Sequence, residues 1–317
     1  MRAVRAGVVV RFAPVLAGLA LAGCRVQDTS RRTDSASSNG TASGSDLGLP
    51  ASRLPDWRPP SLDSLGTDSG AASIRRGLAL MMHTRDSLPA RDPSTLNCAS
   101  CHLDAGRHET AIPLFGVHGI FPEYTSRADA VITIEDRINA CFTRSLAGSK
   151  VPADSRDMRD IVSYLAFLSR GVPGGAQPFP GRLLDMPKLT GDSARGAVVF
   201  STTCVRCHGA DGGGTTIAPA LWGPRSFSIA ASLARVERGA SFIRYNMPFD
   251  KPGSLTDQEA FDVSAFVDSH ARPDMPGKEA DWPKGDAPPD VPYRTAGHVP
   301  PHTPPVLARK ALRPRGQ

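Results

Sequence analysis

Cys98-Ala99-Ser100-Cys101-His102 and Cys204-Val205-Arg206-Cys207-His208 decide the fold of this 317-residue chain. Each places two thiols and an imidazole on one short turn, the arrangement that lets haem vinyl groups form thioethers while the histidine meets the iron. One such pentapeptide can arise by chance or mark a zinc site. Two of them behind an export signal predict two covalently bound haem c groups, attached through Cys98, Cys101, Cys204 and Cys207, with His102 and His208 on the irons.

The chain around the motifs repeats. Gly196 and Phe200 lie eight and four residues before Cys204, on one face of a helix leading into the motif. Ile74, Leu78 and Met81 keep the same spacing in the first half, followed by a longer loop from Arg85 to Asn97. Each half closes on an amphipathic helix, one carrying Ile161, Leu165 and Leu168, the other Val263, Phe266 and Val267 behind the capping pair Thr256 and Glu259. The expected fold is mostly α, with two tandem cytochrome c domains over 72–178 and 182–275 that pack together despite a Gly- and Pro-rich join near 171–181.

The start of the chain reads as an export signal. Arg2, Arg5 and Arg11 precede the apolar run Phe12 to Ala22, which is shorter than the roughly 18 residues a membrane-spanning helix needs. Leu21-Ala22-Gly23-Cys24 has the form of a lipoprotein cleavage box, so residues 1–23 are expected to be removed and Cys24 acylated. An ordinary signal with a chance cysteine is the rival reading. Residues 24–71, poor in apolar side chains, are then a flexible tether on a periplasmic, membrane-anchored protein.

The formal net charge is +6, but cleavage leaves 34 basic residues against 31 acidic ones. Several of the remaining basic residues crowd an acid-free stretch near the C-terminus, which argues against a nucleic-acid partner. Residues 276–317 form a Pro-rich extension that is expected to wrap over the surface or stay solvated.

Each iron needs a second axial ligand. Met247 lies 39 residues beyond His208, and the same count from His102 reaches Cys141. Rivals are His83, His108 and His118 for the first iron, and His270 and Met275 for the second. Cys141 could also be a small buried hydrophobe.

Thr133 and Asp136 cap a helix expected to run through Ile134 to about Ala147, stopped by Gly148. On it Arg137, Cys141, Arg144 and Ser145 share one face, offering a thiolate, two guanidiniums and a hydroxyl to a small sulfur or oxygen anion. The arginines would equally suit haem propionates or water.

The segments Cys98-x-x-Cys101-His102-Leu103-x-x-Gly106, Phe121-Pro122-x-Tyr124-x-x-Arg127 and Arg137-Ile138-Asn139-x-Cys141-Phe142-x-Arg144-Ser145-x-x-Gly148 resemble the first domain of dihaem thiosulfate dehydrogenases. Asp281-Trp282-Pro283 and Pro292-Tyr293 resemble that family's C-terminal segment, and the likeness spans about residues 72 to 296. The resemblance implies that Cys141 is both haem ligand and catalytic sulfur, with Arg127, Arg137 and Ser145 lining a thiosulfate site. Several relatives carry Lys just before the methionine ligand, where Asn246 stands here.

The activity so implied is the joining of two thiosulfates to tetrathionate. Electrons would pass from the His/Cys haem to the His/Met haem and on to a periplasmic or membrane electron carrier. Tetrathionate reduction is the reverse of the same reaction. A plain electron-transfer cytochrome, an interaction module built on the Pro-rich tail, a dihaem peroxidase and a sulfur-oxidising cytochrome missing its partner are the remaining readings.

Overall fold

The computed structural model describes residues 53–308 apart from 55 and 180–182. The signal segment, Cys24 and most of the expected tether lie outside the described residues. Among them, no helix is long and apolar enough to cross a membrane.

The first half opens on helix α1 (Ser69–Met82), capped by the Asp68 carboxylate, and closes on α3 (Arg156–Leu168), capped by Ser155. Between them lie a short antiparallel pair, β1 (Glu123–Thr125) with β2 (Ala130–Ile132), and helix α2 (Ile134–Ala140). The second half opens on α4 (Ser193–Val199), continues through α5 (Val236–Asn246) and closes on α6 (Asp257–Asp268). In each half the opening and closing helices pack on one another, α1 with α3 and α4 with α6.

These two crossings use the same device. Gly77 of α1 passes so close to the Asp160 backbone carbonyl that a Cβ would overlap it, and Gly196 does the same against the Asp262 carbonyl. The residue before each glycine is an arginine paired with the aspartate opposite: Arg76 with Asp160 at 2.6 Å and Arg195 with Asp262 at 2.7 Å. The repeat inferred from helical spacing therefore extends to an Arg-Gly step and its acidic receptor.

Two expectations change and a third is decided. The helix from Ile134 does not run regularly to Ala147: it widens at Cys141–Ser145 into a π-turn, where the Leu146 N–H reaches back five residues to the Cys141 carbonyl at 3.0 Å. Gly148 then passes against the Arg91 carbonyl, in a space no Cβ could share. The tether does not extend to residue 71 either. Trp57 packs edge-on against Phe115 at 5.2 Å and donates from Nε1 to the Arg170 carbonyl at 3.0 Å.

The Pro-rich extension takes the first of its two expected courses, wrapped onto the fold over its described part. Trp282, Val291 and Tyr293 are buried with Ile229 and Ala230, and β4 (Val306–Leu307) pairs in parallel with β3 (Arg272–Pro273). Burial of apolar area there outweighs the solvation expected from composition, because proline already restricts the chain that must be ordered.

The two halves are joined by polar contacts. The Thr95 N–H donates to the Arg225 carbonyl at 2.8 Å, while Thr95 Oγ1 accepts the Ala220 N–H at 2.8 Å. The join between the halves is docked as well, since Gly175 N–H donates to the Gly119 carbonyl and Phe179 packs on Phe115.

Candidate active site

Each motif opens onto its own cavity. The first, about 540 Å³, is lined by Cys98, Cys101, His102, Arg137, Cys141 and Ser145 among apolar walls that include Met81, Phe121, Ile138 and Leu165. The second, about 640 Å³, is lined by Cys204, Cys207, His208 and Met247 with Phe200, Phe242, Ile243 and Val263. Asn97 and Cys101 line both, so the cavities adjoin at the first motif.

The donor sets fit haem. His102 Nδ1 donates to the Ile112 carbonyl at 2.7 Å, and His208 Nδ1 donates to the Pro219 carbonyl at 2.9 Å. Each bond fixes the ring and leaves Nε2 for iron, as carbonyl acceptors do at metal-bound histidines. A thiolate on one side and a thioether on the other would complete the two sets.

Cys141 and Met247 line the cavities that equal spacing assigned them to. The rival ligands line neither. His83, His108 and His118 are exposed; His270 is stacked on Trp222 at 4.1 Å with its Nδ1 on the Phe266 carbonyl; and Met275 packs with the C-terminal cluster.

Three thiols in the first cavity differ in character. Removal from water pushes Cys98 and Cys101 up to about 12, with the neighbouring Cys141 adding to the rise in both. The same removal would raise Cys141, yet the Arg137 guanidinium and the His102 imidazole bring it down to about 7. Arg137 Nη1 donates to Cys141 Sγ at 3.1 Å. Arg137 is exposed and pairs with no carboxylate among the described residues, so its charge is available to an anion.

The π-turn splits the expected basic face. Arg137, Cys141 and Ser145 stay on the cavity, while Arg144 leaves it and grips Asp281 with two bonds of 2.6 Å. Arg127 is not among the cavity-lining residues. Its Nε donates to Asp281 at 3.1 Å, its Nη2 to Tyr293 Oη at 2.7 Å and to the Ala230 carbonyl at 2.9 Å, and its guanidinium lies over Trp282. Arg53, within the segment assigned to the tether, lines the Cys141 cavity, as does Glu123. No spacing or motif marked Arg53; its N–H donates to the Pro178 carbonyl at 2.7 Å, a contact between distant segments.

Comparison with known proteins agrees with this arrangement. Residues 89–173 match the family described as the SoxA/TsdA cytochrome c domain, and residues 193–271 match the cytochrome c family. The thiosulfate dehydrogenase of Psychrobacter arcticus is 38% identical over 282 residues, covering 84% of this chain and 85% of that protein. That of Allochromatium vinosum is 40% identical over 215 residues, covering 63% and 78%. The as-isolated structure of thiosulfate dehydrogenase TsdBA from Marichromatium purpuratum superposes with a TM-score of 0.64 at 32% identity, over 70% of this chain; the chain spans half the length of that one. With two cytochrome c domains and relatives this similar across most of its length, the chain belongs to the thiosulfate dehydrogenase family.

Proposed function

We propose that this protein oxidises two thiosulfate ions to tetrathionate at Cys141. The observation that carries the reading is the 3.1 Å contact between Arg137 and Cys141 inside a cavity that His102 also lines. The relatives named above are thiosulfate dehydrogenases, which supports the substrate class.

In this reading Cys98 and Cys101 would hold the first haem covalently, with His102 and Cys141 as donors to its iron. Cys204 and Cys207 hold the second, with His208 and Met247. When bound, the two haems supply a pair of one-electron acceptors. Arg137 and Arg53 attract and orient the dianion at the cavity mouth, and the Ser145 hydroxyl donates to a sulfonate oxygen. Cys141 Sγ forms a bond to the sulfane sulfur of the first thiosulfate as two electrons are withdrawn, leaving a cysteine S-thiosulfonate. The sulfane sulfur of the second thiosulfate attacks that of the first, the bond to Cys141 breaks, and tetrathionate leaves with the thiolate restored.

Arg127 serves this site from outside the cavity, holding the C-terminal segment through Asp281 and Tyr293. We also read the acylation of Cys24 and a periplasmic location from the signal residues, with electrons leaving to an external carrier. Globomycin-sensitive processing and detergent-phase partitioning of the Cys24→Ala variant test the anchor.

Cys141→Met tests the reaction. The variant should retain both haems by haemochrome assay and lose thiosulfate-dependent haem reduction. Turnover at the wild-type rate would overturn the assignment.

A further inference from the structure

Part of the wall of the second cavity belongs to the first half. Cys98–Ser100 forms a single 3-10 turn, in which residues three apart eclipse, so Cys98 and Cys101 face one way while the residues between them face the other. Leu96, Ala99, Ser100 and Leu103 accordingly line the second cavity and not the first. The first half thus shapes the surroundings of whatever Cys204 and Cys207 hold.

A polar link runs from this wall to His208. Thr95 is fixed by its N–H on the Arg225 carbonyl at 2.8 Å, and its Oγ1 accepts the Ala220 N–H at 2.8 Å. The carbonyl of that same peptide unit is that of Pro219, and it accepts from His208 Nδ1 at 2.9 Å. One peptide group therefore joins a side chain of the first half to the ring assigned to the second iron. Ala220 is buried, so loss of the Thr95 oxygen strands its N–H. The first half has no counterpart. His102 Nδ1 donates to the Ile112 carbonyl at 2.7 Å, but the next residue is Pro113, whose nitrogen carries no hydrogen.

We propose that Thr95 is a positioning residue for the second haem, acting on His208 through the peptide between Pro219 and Ala220. By accepting the amide proton, Thr95 shifts electron density toward the Pro219 carbonyl oxygen, which then draws harder on the His208 Nδ1 proton; bonds in such chains strengthen one another by about 10–30% each. The ring becomes a stronger donor through Nε2 and favours oxidised iron, so the first domain holds down the potential of the electron-exit haem. A lower potential makes that haem the better donor to an external carrier. Onward transfer is therefore favoured while the two domains are docked at Thr95. The inference rests on His208 as an iron ligand and not on the reaction at Cys141.

Redox titration of the full-length holoprotein, followed separately at each haem by NMR, tests it. Thr95→Val removes the acceptor at nearly constant volume. It should raise the reduced-to-oxidised ratio of the second haem about threefold at fixed ambient potential, which is about 28 mV at about 59 mV per tenfold for one electron, and leave the first haem unmoved. Thr95→Ser returns the oxygen and should return the potential. If the valine variant does not accumulate with both haems, Thr95→Ala takes its place in the comparison. An unchanged potential in the apolar variant, a shift of the same size in Thr95→Ser, or an equal shift at both haems would overturn the proposal. Ligation is checked apart from the potential. In the oxidised wild type the His208 ring protons should resonate far outside their ordinary range, as those of an iron ligand do, and ordinary shifts would remove the ligand assignment and the proposal with it. None of these readouts uses thiosulfate.

Discussion

Thr110 Oγ1 donates to Asn246 Oδ1 at 2.7 Å across the boundary between the two domains, and Asn246 Nδ2 returns a bond to the Thr110 carbonyl at 3.3 Å. Asn246 is buried and immediately precedes Met247, while two residues past Thr110 the Ile112 carbonyl holds His102. One polar contact thus links the segment whose carbonyl orients His102 to the segment that leads into Met247. Where relatives of the family resemblance have lysine before the methionine, this asparagine is spent on the other domain.

Thr110→Val keeps the volume and removes the hydroxyl, leaving the Asn246 amide oxygen buried without its donor. The expected loss is about 1–3 kcal/mol in urea unfolding. With Met247 as the proposed donor to the second haem, the near-infrared band of methionine ligation should weaken, because the Met247 loop loses its brace. A variant as stable as wild type would show that the contact braces nothing.

The paired helix crossings give a second prediction. Gly77→Ala and Gly196→Ala each gain about 1 kcal/mol of helix propensity. Each also forces a methyl into the carbonyl of Asp160 or Asp262, which prises the two helices apart. The net effect should be destabilisation of at least about 3 kcal/mol and a fall in haem-loaded yield in both. Thermal unfolding of the purified variants measures it, and an unperturbed melting temperature in either would break the equivalence of the two halves.

That equivalence shows what the sequence could reveal. Helical spacing at Ile74, Leu78 and Met81, the haem motifs and the equal interval to Cys141 and Met247 are local signals, and the structure places Met81, Cys141, Met247 and the motif cysteines and histidines on the cavities, with Ile74 and Leu78 in the adjoining core. What stayed hidden depends on contacts between distant segments. Arg144 shares a face with Cys141 on an ideal α-helix, but a π-turn, invisible to periodicity, swings it to Asp281. Arg127 followed the substrate residues by resemblance, yet its bonds reach a carboxylate 154 positions away. Proline content left the tail either wrapped over the surface or mobile, and the burial of Trp282 and Tyr293, which composition could not weigh, decides for the first.

Asp281 is accordingly the residue on which the C-terminal segment turns. It is nearly buried and accepts from Arg127, Arg144 and the Tyr293 hydroxyl. Asp281→Asn leaves two largely covered guanidiniums without a counter-charge, a change that typically costs about 3–5 kcal/mol. Limited proteolysis should then cut within residues 276–308, where the wild type resists. Equal resistance would mean that Trp282 and Tyr293 hold the segment by packing alone.

Asp92 supplies a pH signature independent of the haem ligands. Burial raises its carboxyl to about 6 despite two bonds from Ser94 to Oδ1, and Oδ2 has no partner. The folded pKa lies above the unfolded one, so the contribution is present below about pH 4 and lost as pH rises through about 6. The gap from 3.8 corresponds to about 3 kcal/mol. Denaturant unfolding at about pH 4 and pH 7 should show a smaller drop for Asp92→Asn than for wild type, and equal drops would clear Asp92 of that role.

The two arginines at the Cys141 cavity should separate binding from chemistry. Arg53 lines the cavity without a hydrogen bond to the thiol, whereas Arg137 donates to it. Arg53→Gln removes only attraction for the dianion, so KM for thiosulfate should rise several-fold, more steeply at low ionic strength, with kcat nearly kept. Arg137→Gln removes attraction and the bond that holds Cys141 Sγ. It should lower kcat as well as raise KM, for a combined loss in kcat/KM of about 100-fold or more. Steady-state kinetics of haem-complete variants decide it. If Arg53→Gln lowered kcat as much as Arg137→Gln, the anion would have to be held on the Arg53 side of the cavity during the sulfur chemistry, and Arg137 would be no more than a neighbour of the thiolate.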